Sequence, residues 1–590
     1  MMRARGRAGI FALVTIVMAV IVASAFALTT TPATTGPADG KLDFGEEGLA
    51  FPPAVPVNAH TSRTAQLLGD AYRKKDPLEW KRVQFVADLG QVALSASAPY
   101  LIDAMRDESP AVRAQAARSA GMIPSVTAAL LAELEKLLGD PDPGVRREAV
   151  LSAVALARAA EGAKTNAIER GLADADARVA AAAMQRAWTA EHAQQVAAKL
   201  PTLPKNLAPE AAAALARLKA GPQAEAVLPL LGGDVVERAA AVRALGEMGN
   251  AQHVAAVEKM LSDLHPTVRR EAMTAVAKLA QPEQRESAAI RMLADADPTV
   301  REAAAVVLTP VPSVAAMKAL LPQLDIDYAP LHRATRAALV RPADAPVRDA
   351  TIAAAAAMLT HDHPRRREDA SYVLGRLRSA ERFEQHVALL PDPSKLEKVD
   401  WPLVAQAAES LGLIGDARAA EPLMALVKPA PDSLAKLNLK TSEYVVAAQA
   451  VSNALAALGR IGHRPAMDEA VRVVKLDPLG GVPGNMRTAA AFVIGAVGEP
   501  GRVPGAVNFL ELYASTNESV DTKFESLKAL GNLRHAGSAK RLKEISETDG
   551  SPNLRWIAHW AYQRVANTTV PYTPPIEPRQ PPVTITDIAR

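Results

Sequence analysis

The feature that most constrains this chain is a phrase that it repeats. "RDESPAVRAQAA" (106–117), "GDPDPGVRREAV" (139–150), "ADADARVAAAAM" (173–184), "SDLHPTVRREAM" (262–273) and "ADADPTVREAAA" (294–305) share one grammar. In each, an Asp (Asp107, Asp140, Asp174, Asp263, Asp295) stands five residues before a Val (Val112, Val145, Val179, Val268, Val300). Arg follows that Val at Arg113, Arg146, Arg269 and Arg301, while the third copy has Ala180. Successive Val positions are 33, 34, 89 and 32 residues apart, and weaker copies around Ala208/Ala212 and Val236/Ala240 fill the long interval. A period of this length marks stacked supersecondary units that share a continuous core.

The period inside each copy is helical. Val145, Ala149, Ala153 and Leu156 fall at i, i+4, i+8 and i+11, as do Val268, Ala272, Val276 and Leu279, so each set shares one helix face. Pro110, Pro143, Pro266 and Pro298 suit a first helical turn, where a missing N–H costs little. Ser109, Asp142 and Asp297 precede three of these prolines as N-caps. An L-G-x-Φ-G ending or close variant recurs at Leu89-Gly90, Leu245-Gly246, Leu374-Gly375, Leu411-Gly412, Leu458-Gly459, Ile494-Gly495 and Leu530-Gly531. Its glycines are expected to supply left-handed helix ends. A second amphipathic helix follows, as in "GSAKRLKEIS". Aromatics are only 4% of the chain and Ala runs recur, which favours closely packed helices. The expected fold is all-α, with about fourteen helix pairs over residues 61–565.

The D-x-x-P-x-V-R-x-x-A pattern with its L-G-x-Φ-G ending resembles HEAT repeats, most nearly the short HEAT-like class named after phycobilisome lyases. The resemblance covers most of 61–565 and is clearest over 101–310. It implies an α-α superhelix, a solenoid of stacked antiparallel helix pairs. It also implies that Asp107, Arg113, Asp140, Arg146, Asp263, Arg269, Asp295 and Arg301 are structural, forming a ladder of bonds between adjacent units. One such array is a hydroxylase that holds iron through His-Glu pairs; no His-Glu dipeptide occurs here, so that role does not carry over.

The ends of the chain differ from its body. Arg3, Arg5 and Arg7 precede an uncharged apolar run over 10–28, and Ala25-Phe26-Ala27 fits a cleavage site after Ala27. Residues 1–27 therefore read as a signal peptide, with an uncleaved membrane anchor as the alternative. Residues 28–60 are a Thr/Pro/Ala-rich linker, and 566–590 hold six prolines and should be extended. Lys plus Arg number 67 against 64 Asp plus Glu. Without the three leading arginines the balance is 64 to 64, so the basic pI is no argument for nucleic acid. Cysteine is absent, which removes disulfides, thiolate catalysis and Cys-held metals.

Candidates for chemistry are few. Asp-x-Asp recurs at 140/142, 174/176 and 295/297; one copy could hold a cation, but three at one repeat position point to structure. His361, Asp362 and His363 offer imidazole and carboxylate to a metal, yet His363 occupies the place of Asp142 and Asp297 before Pro364, as in a degenerate turn. The arginines 365–367 read as a solvated face or part of the ladder. "YRKKDPLEWKR" (72–82) mixes aromatic and basic residues, but its Asp76-Pro77 marks another repeat start. Trp556 and Trp560 are expected to cap the array. No HExxH, GxSxG, GxxxxGK or GxGxxG motif occurs. Segments 391–402, 428–444 and 475–485 break the spacing and are candidate recognition loops. The expectation is an exported scaffold in a bacterial envelope, periplasmic or otherwise extracytoplasmic. It would bind one or more proteins, no nucleic acid and no cofactor, and touch membrane only through residues 10–28 if these stay uncleaved. An accessory factor or metal-dependent enzyme of the periplasm and a structural cell-surface component are the alternatives.

Overall fold

A computed structural model of the chain describes residues 59–92, 95–123, 128–159, 165–392, 399–428, 441–475, 484–499, 505–515 and 518–572. The N-terminal segment with Ala27, nearly all of the linker, the tail beyond 572 and most of the three interrupting segments lie outside these residues.

Helices alternate between two layers. Those that open on the Asp–Val–Arg phrase stack on one another, beginning with Glu79–Val92, Pro110–Ala120, Pro143–Ala159 and Ala177–Arg186 and ending with Val520–Leu533 and Pro552–Ala566. We call this the arginine layer. Shorter helices such as Ala128–Leu137, Ala167–Leu172 and Ala539–Thr548 back it. The result is an all-α superhelix. Among the described residues the sole β feature is an isolated parallel bridge between Val311 and Pro342. One backing position is a 3-10 helix, Gly221–Gly232, whose internal Pro229 has no N–H to extend an α-helical ladder.

Local sequence explains where the helices start. Ser109 accepts from the Val112 N–H, Asp142 from those of Gly144 and Val145, and Asp297 from that of Thr299. One bond fixes the turn before the cap. The Asp of the phrase accepts from the N–H two residues on, at Asp107/Ser109, Asp140/Asp142, Asp174/Asp176, Asp263/His265 and Asp295/Asp297. This is an Asx turn, in which a short carboxylate replaces a backbone carbonyl.

The two glycines of L-G-x-Φ-G do different jobs. The last one is the expected left-handed end: Gly249, Gly415 and Gly462 have φ of 72°, 79° and 79°. The first one lies inside the helix. A Cβ on Gly246 would meet Ala275 Cα at 2.9 Å, on Gly412 Ala457 Cα at 2.7 Å, and on Gly495 Ala529 Cα at 2.7 Å. These positions let successive arginine-layer helices touch backbone to backbone, which a larger side chain would prevent.

The helix faces are buried as the period requires: Val145, Ala149, Ala153 and Leu156 are all 1% exposed or less. The weak copy around Val236 is the exception. Val236 is 63% exposed while Glu237, Ala239 and Ala241 are buried, because the cap at Asp234 turns Val236 outward at the second helical position. Apolar side chains form two cores, from Tyr72 to Leu377 and from Phe383 to Ala561. Between them, helices Pro364–Arg376 and Trp401–Ile414 meet through Gly375, Ser371 and Ser410. The Ser410 hydroxyl donates to the Ser371 carbonyl at 2.8 Å, as the Ser119 hydroxyl does to the Val86 carbonyl beside Gly90 within the first core. At the last helix the two tryptophans separate. Trp560 packs on Gly531, whereas Trp556 is 51% exposed; Leu554, Ile557, Ala558 and Ala561 close the core instead.

Candidate interaction surface

The Asp turns and the arginines meet along one rim. Arg113 Nε and Nη2 donate to the two carboxylate oxygens of Asp140 at 2.7 and 2.9 Å, and its Nη1 donates to the Asp107 carbonyl at 2.9 Å. Arg146 repeats this with Asp174 and the Asp140 carbonyl. Arg269 repeats it with Asp295 and the Asp263 carbonyl. Each arginine thus ties its own turn to the next one through a bidentate, charge-assisted fork. The Arg146 hydrogen bonds are the first cause holding the Asp174 carboxyl below its usual range.

The rim includes residues that the sequence reading did not single out. Arg238 grips Asp263 with the same fork. Buried Arg82 pairs with Asp107 at 3.3 Å, and Tyr72 donates its hydroxyl to the same carboxylate at 3.0 Å; segment 72–82 is the first rung. Arg487 reaches Glu518 at 3.1 Å. The missed signal was the spacing from the N-cap: Arg238 stands four residues after Asp234, as Arg146 does after Asp142, with Glu237 in the place of the Val.

His361, Asp362 and His363 form another such turn. His361 Nδ1 accepts from the His363 N–H at 3.0 Å, where other copies use an Asp oxygen. Arg367 donates to the His361 carbonyl at 3.0 Å and reaches Asp400 at 3.1 Å. Arg365 and Arg366 pair with Asp327 and Asp325. The Arg366 guanidinium lies 3.1 Å from His361 Nε2, a cation where a second cation would have to approach. Among the described residues no three His, Asp or Glu side chains are grouped to hold a metal ion.

A second ladder crosses the exposed helix faces. Arg118 pairs with Glu148 and Arg243 with Glu271. Arg118 and Arg243 stand five residues after their rim arginines 113 and 238, and Glu148 and Glu271 two residues after 146 and 269. Arg376–Glu409 continues the theme at 2.9 Å.

The ladders lapse at neighbouring interfaces, the second ladder between helices Pro266–Leu279 and Pro298–Val307, where the Arg269–Asp295 rung stays intact, and the rim one interface later, at Arg301. Helix Pro266–Leu279 has Thr274 where Arg118 and Arg243 stand, and helix Pro298–Val307 has Ala303 where Glu148 and Glu271 stand. Arg301 departs from the other rim arginines. It donates to the Asp295 carbonyl at 3.2 Å, but its Nε is buried without a partner. Asp327, the acid 26 residues on, is exposed and pairs with Arg365. The stretch after helix Pro298–Val307 pairs forward instead: Val311 donates to the Arg341 carbonyl at 2.8 Å and Ala343 donates back at 2.9 Å.

A cleft of about 1010 Å³ lies across these helices. Ala277, Ala303, Val306, Val307, Pro310 and Pro312 give it an apolar floor. Arg270, Lys278, Arg285, Glu283, Glu286 and Glu302 rim it. Val306 is 57% exposed.

Comparison with known proteins agrees with this geometry. Residues 65–155 and 224–309 match the family model for HEAT repeats. Among curated proteins no sequence matches the chain. The structure of the Kap95:Nup1 complex is similar over 87% of this chain and 79% of that one, with TM-score 0.56 and 11% identity. A structure of Kap95p with RanGDP is similar over 86% and 72%, with TM-score 0.51 and 14% identity. At these identities the likeness is one of fold.

Proposed function

From a chain built of HEAT repeats, we propose an exported scaffold that binds a protein partner in the bacterial cell envelope, through the cleft between helices Pro266–Leu279 and Pro298–Val307. The observation that carries the reading is the position of that cleft, at an interface that the second ladder leaves open. Thr274 and Ala303 leave this groove without the ion pair that Arg118–Glu148 and Arg243–Glu271 place across theirs. Solenoids present such extended faces to other chains. The solved neighbours also carry protein partners, Nup1 and RanGDP, which supports a protein ligand in general terms. Export rests on Arg3, Arg5, Arg7 and the apolar run 10–28, and a mature N-terminus at Leu28 would establish cleavage.

The test places a photo-crosslinking residue at Val306 and, as a control, at Leu264, which is 96% exposed and outside the cleft. In intact cells position 306 should give a discrete adduct that 264 does not. Thr274→Arg with Ala303→Glu should abolish that adduct by writing the missing rung across the groove. Identical adducts at both positions, or none at 306, would sink the reading.

A further inference from the structure

The last helix, Pro552–Ala566, presents an outer stripe formed by Pro552, Trp556, His559 and Gln563, spaced at i, i+4, i+7 and i+11. Leu554, Ile557, Ala558 and Ala561 face the core on its other side. The helix ends at Asn567, in the left-handed conformation at φ 50°. The chain then turns back. The Val570 carbonyl accepts from Gln563 and lies 2.9 Å from His559 Nε2. The Tyr572 ring packs on the His559 ring, with centroids 5.2 Å apart. Residues 567–572 therefore run along the stripe from Gln563 toward His559, opposite to the helix direction. The next side chain on that path is Trp556, 51% exposed. Trp560 is engaged elsewhere, with Gly531 beneath it and Arg564 over its ring.

Beyond Tyr572 the sequence reads Thr573-Pro574-Pro575-Ile576-Glu577-Pro578. Extended Pro-rich chain advances about 3.1 Å per residue and an α-helix about 1.5 Å. Two extended residues therefore span about four helical ones, the distance along the stripe from His559 to the level of Trp556. Such segments favour aromatic surfaces because they are pre-ordered and lose little entropy on docking. We propose that residues 573–578 of this chain lie over Trp556 and complete the C-terminal cap of the array. This cap gives the last repeat the covered outer face that a solenoid end needs, and makes the Pro-rich tail a part of the fold rather than a spacer.

The chain has no cysteine, so a pair can be introduced in the full-length protein. Asn553→Cys with Ile576→Cys should oxidise to an intrachain disulfide under mild conditions, and Asn553→Cys with Ile588→Cys should do so far more slowly. A second measurement follows Trp556 itself, as the difference in acrylamide quenching between the parent and Trp556→Phe. Pro574→Asp with Pro575→Asp should raise that component several-fold while leaving helix content unchanged. Equal crosslinking of both cysteine pairs, or equal quenching with and without the prolines, would overturn the proposal. An interchain disulfide, or protection that grows with protein concentration, would also overturn it, by assigning the contact to a second copy.

Discussion

Asp140 accepts the Arg113 fork with both carboxylate oxygens, and one of them also accepts the Asp142 N–H. Its side chain is 6% exposed. Asp140→Ala should therefore destabilise the fold by about 2 kcal/mol, since it removes a turn bond and leaves a part-buried guanidinium unpaired. Arg301→Ala should cost about 1 kcal/mol or less, because Arg301 grips no carboxylate in the next turn. Thermal melts of the two variants separate these cases, and equal losses would mean that the fork is not what stabilises the rim. Glycines sort in the same way. A Cβ at Gly412 would sit 2.7 Å from Ala457 Cα, whereas one at Gly232 meets nothing within 4 Å. Gly412→Ala should lose about 1–3 kcal/mol by overpacking, and Gly232→Ala should stay within about 0.5 kcal/mol. That Asp140 begins a turn was legible from its offset to Val145. Its bond to Arg113 was reached only by resemblance, because the partner lies 27 residues away.

At the scale of the helix, ends were easier to read than neighbours. Caps are satisfied within three residues, so Ser109, Asp142 and Asp297 could be placed from the sequence alone. The two glycines of the helix ending were not distinguishable in that way. The left-handed one answers to local φ, the other to a helix in the following repeat. Electrostatic pairing within and between helices adds a pH dependence. Glu133, on helix Ala128–Leu137, is held down at about 2 by Arg106 first and then by Lys136, against the cost of burying it. A carboxylate with a lowered folded value stabilises the fold fully above its unfolded value, about 4.3, and loses that contribution as pH falls through the folded value. Melting temperature should therefore decline between about pH 4.3 and 2, and Glu133→Gln should flatten part of that decline. An unchanged acid limb in the variant would remove Glu133 from the account.

Over the whole molecule, two apolar cores joined through Ser371, Gly375 and Ser410 should not unfold as one unit. Repeat arrays are sums of neighbouring interfaces, so the boundary between two apolar clusters is where they can part. Denaturant unfolding followed by circular dichroism should need at least two transitions. Ser410→Ala should destabilise the joint, with the two steps spreading further apart. A single sharp transition would show that the joint couples the cores fully. The cleft belongs to this scale as well. Thr274→Arg with Ala303→Glu should raise stability by a few tenths of a kcal/mol, about the worth of an exposed ion pair, while closing the groove.

By itself the sequence determined an all-α chain of stacked helix pairs, the places where many helices begin, and the repeat class. Those properties rest on the recurrence of one phrase along the chain and on contacts a few residues apart within each copy. Only the tertiary structure decided which arginine meets which acid, that Arg301 grips no acid in the next turn, and that Trp556 faces outward. These depend on the offset between one repeat and the next, across about 25–40 residues of chain. A small change in that offset decides whether two side chains meet. The cleft follows from the same cause, since Thr274 and Ala303 are ordinary helix residues until the helices are brought side by side.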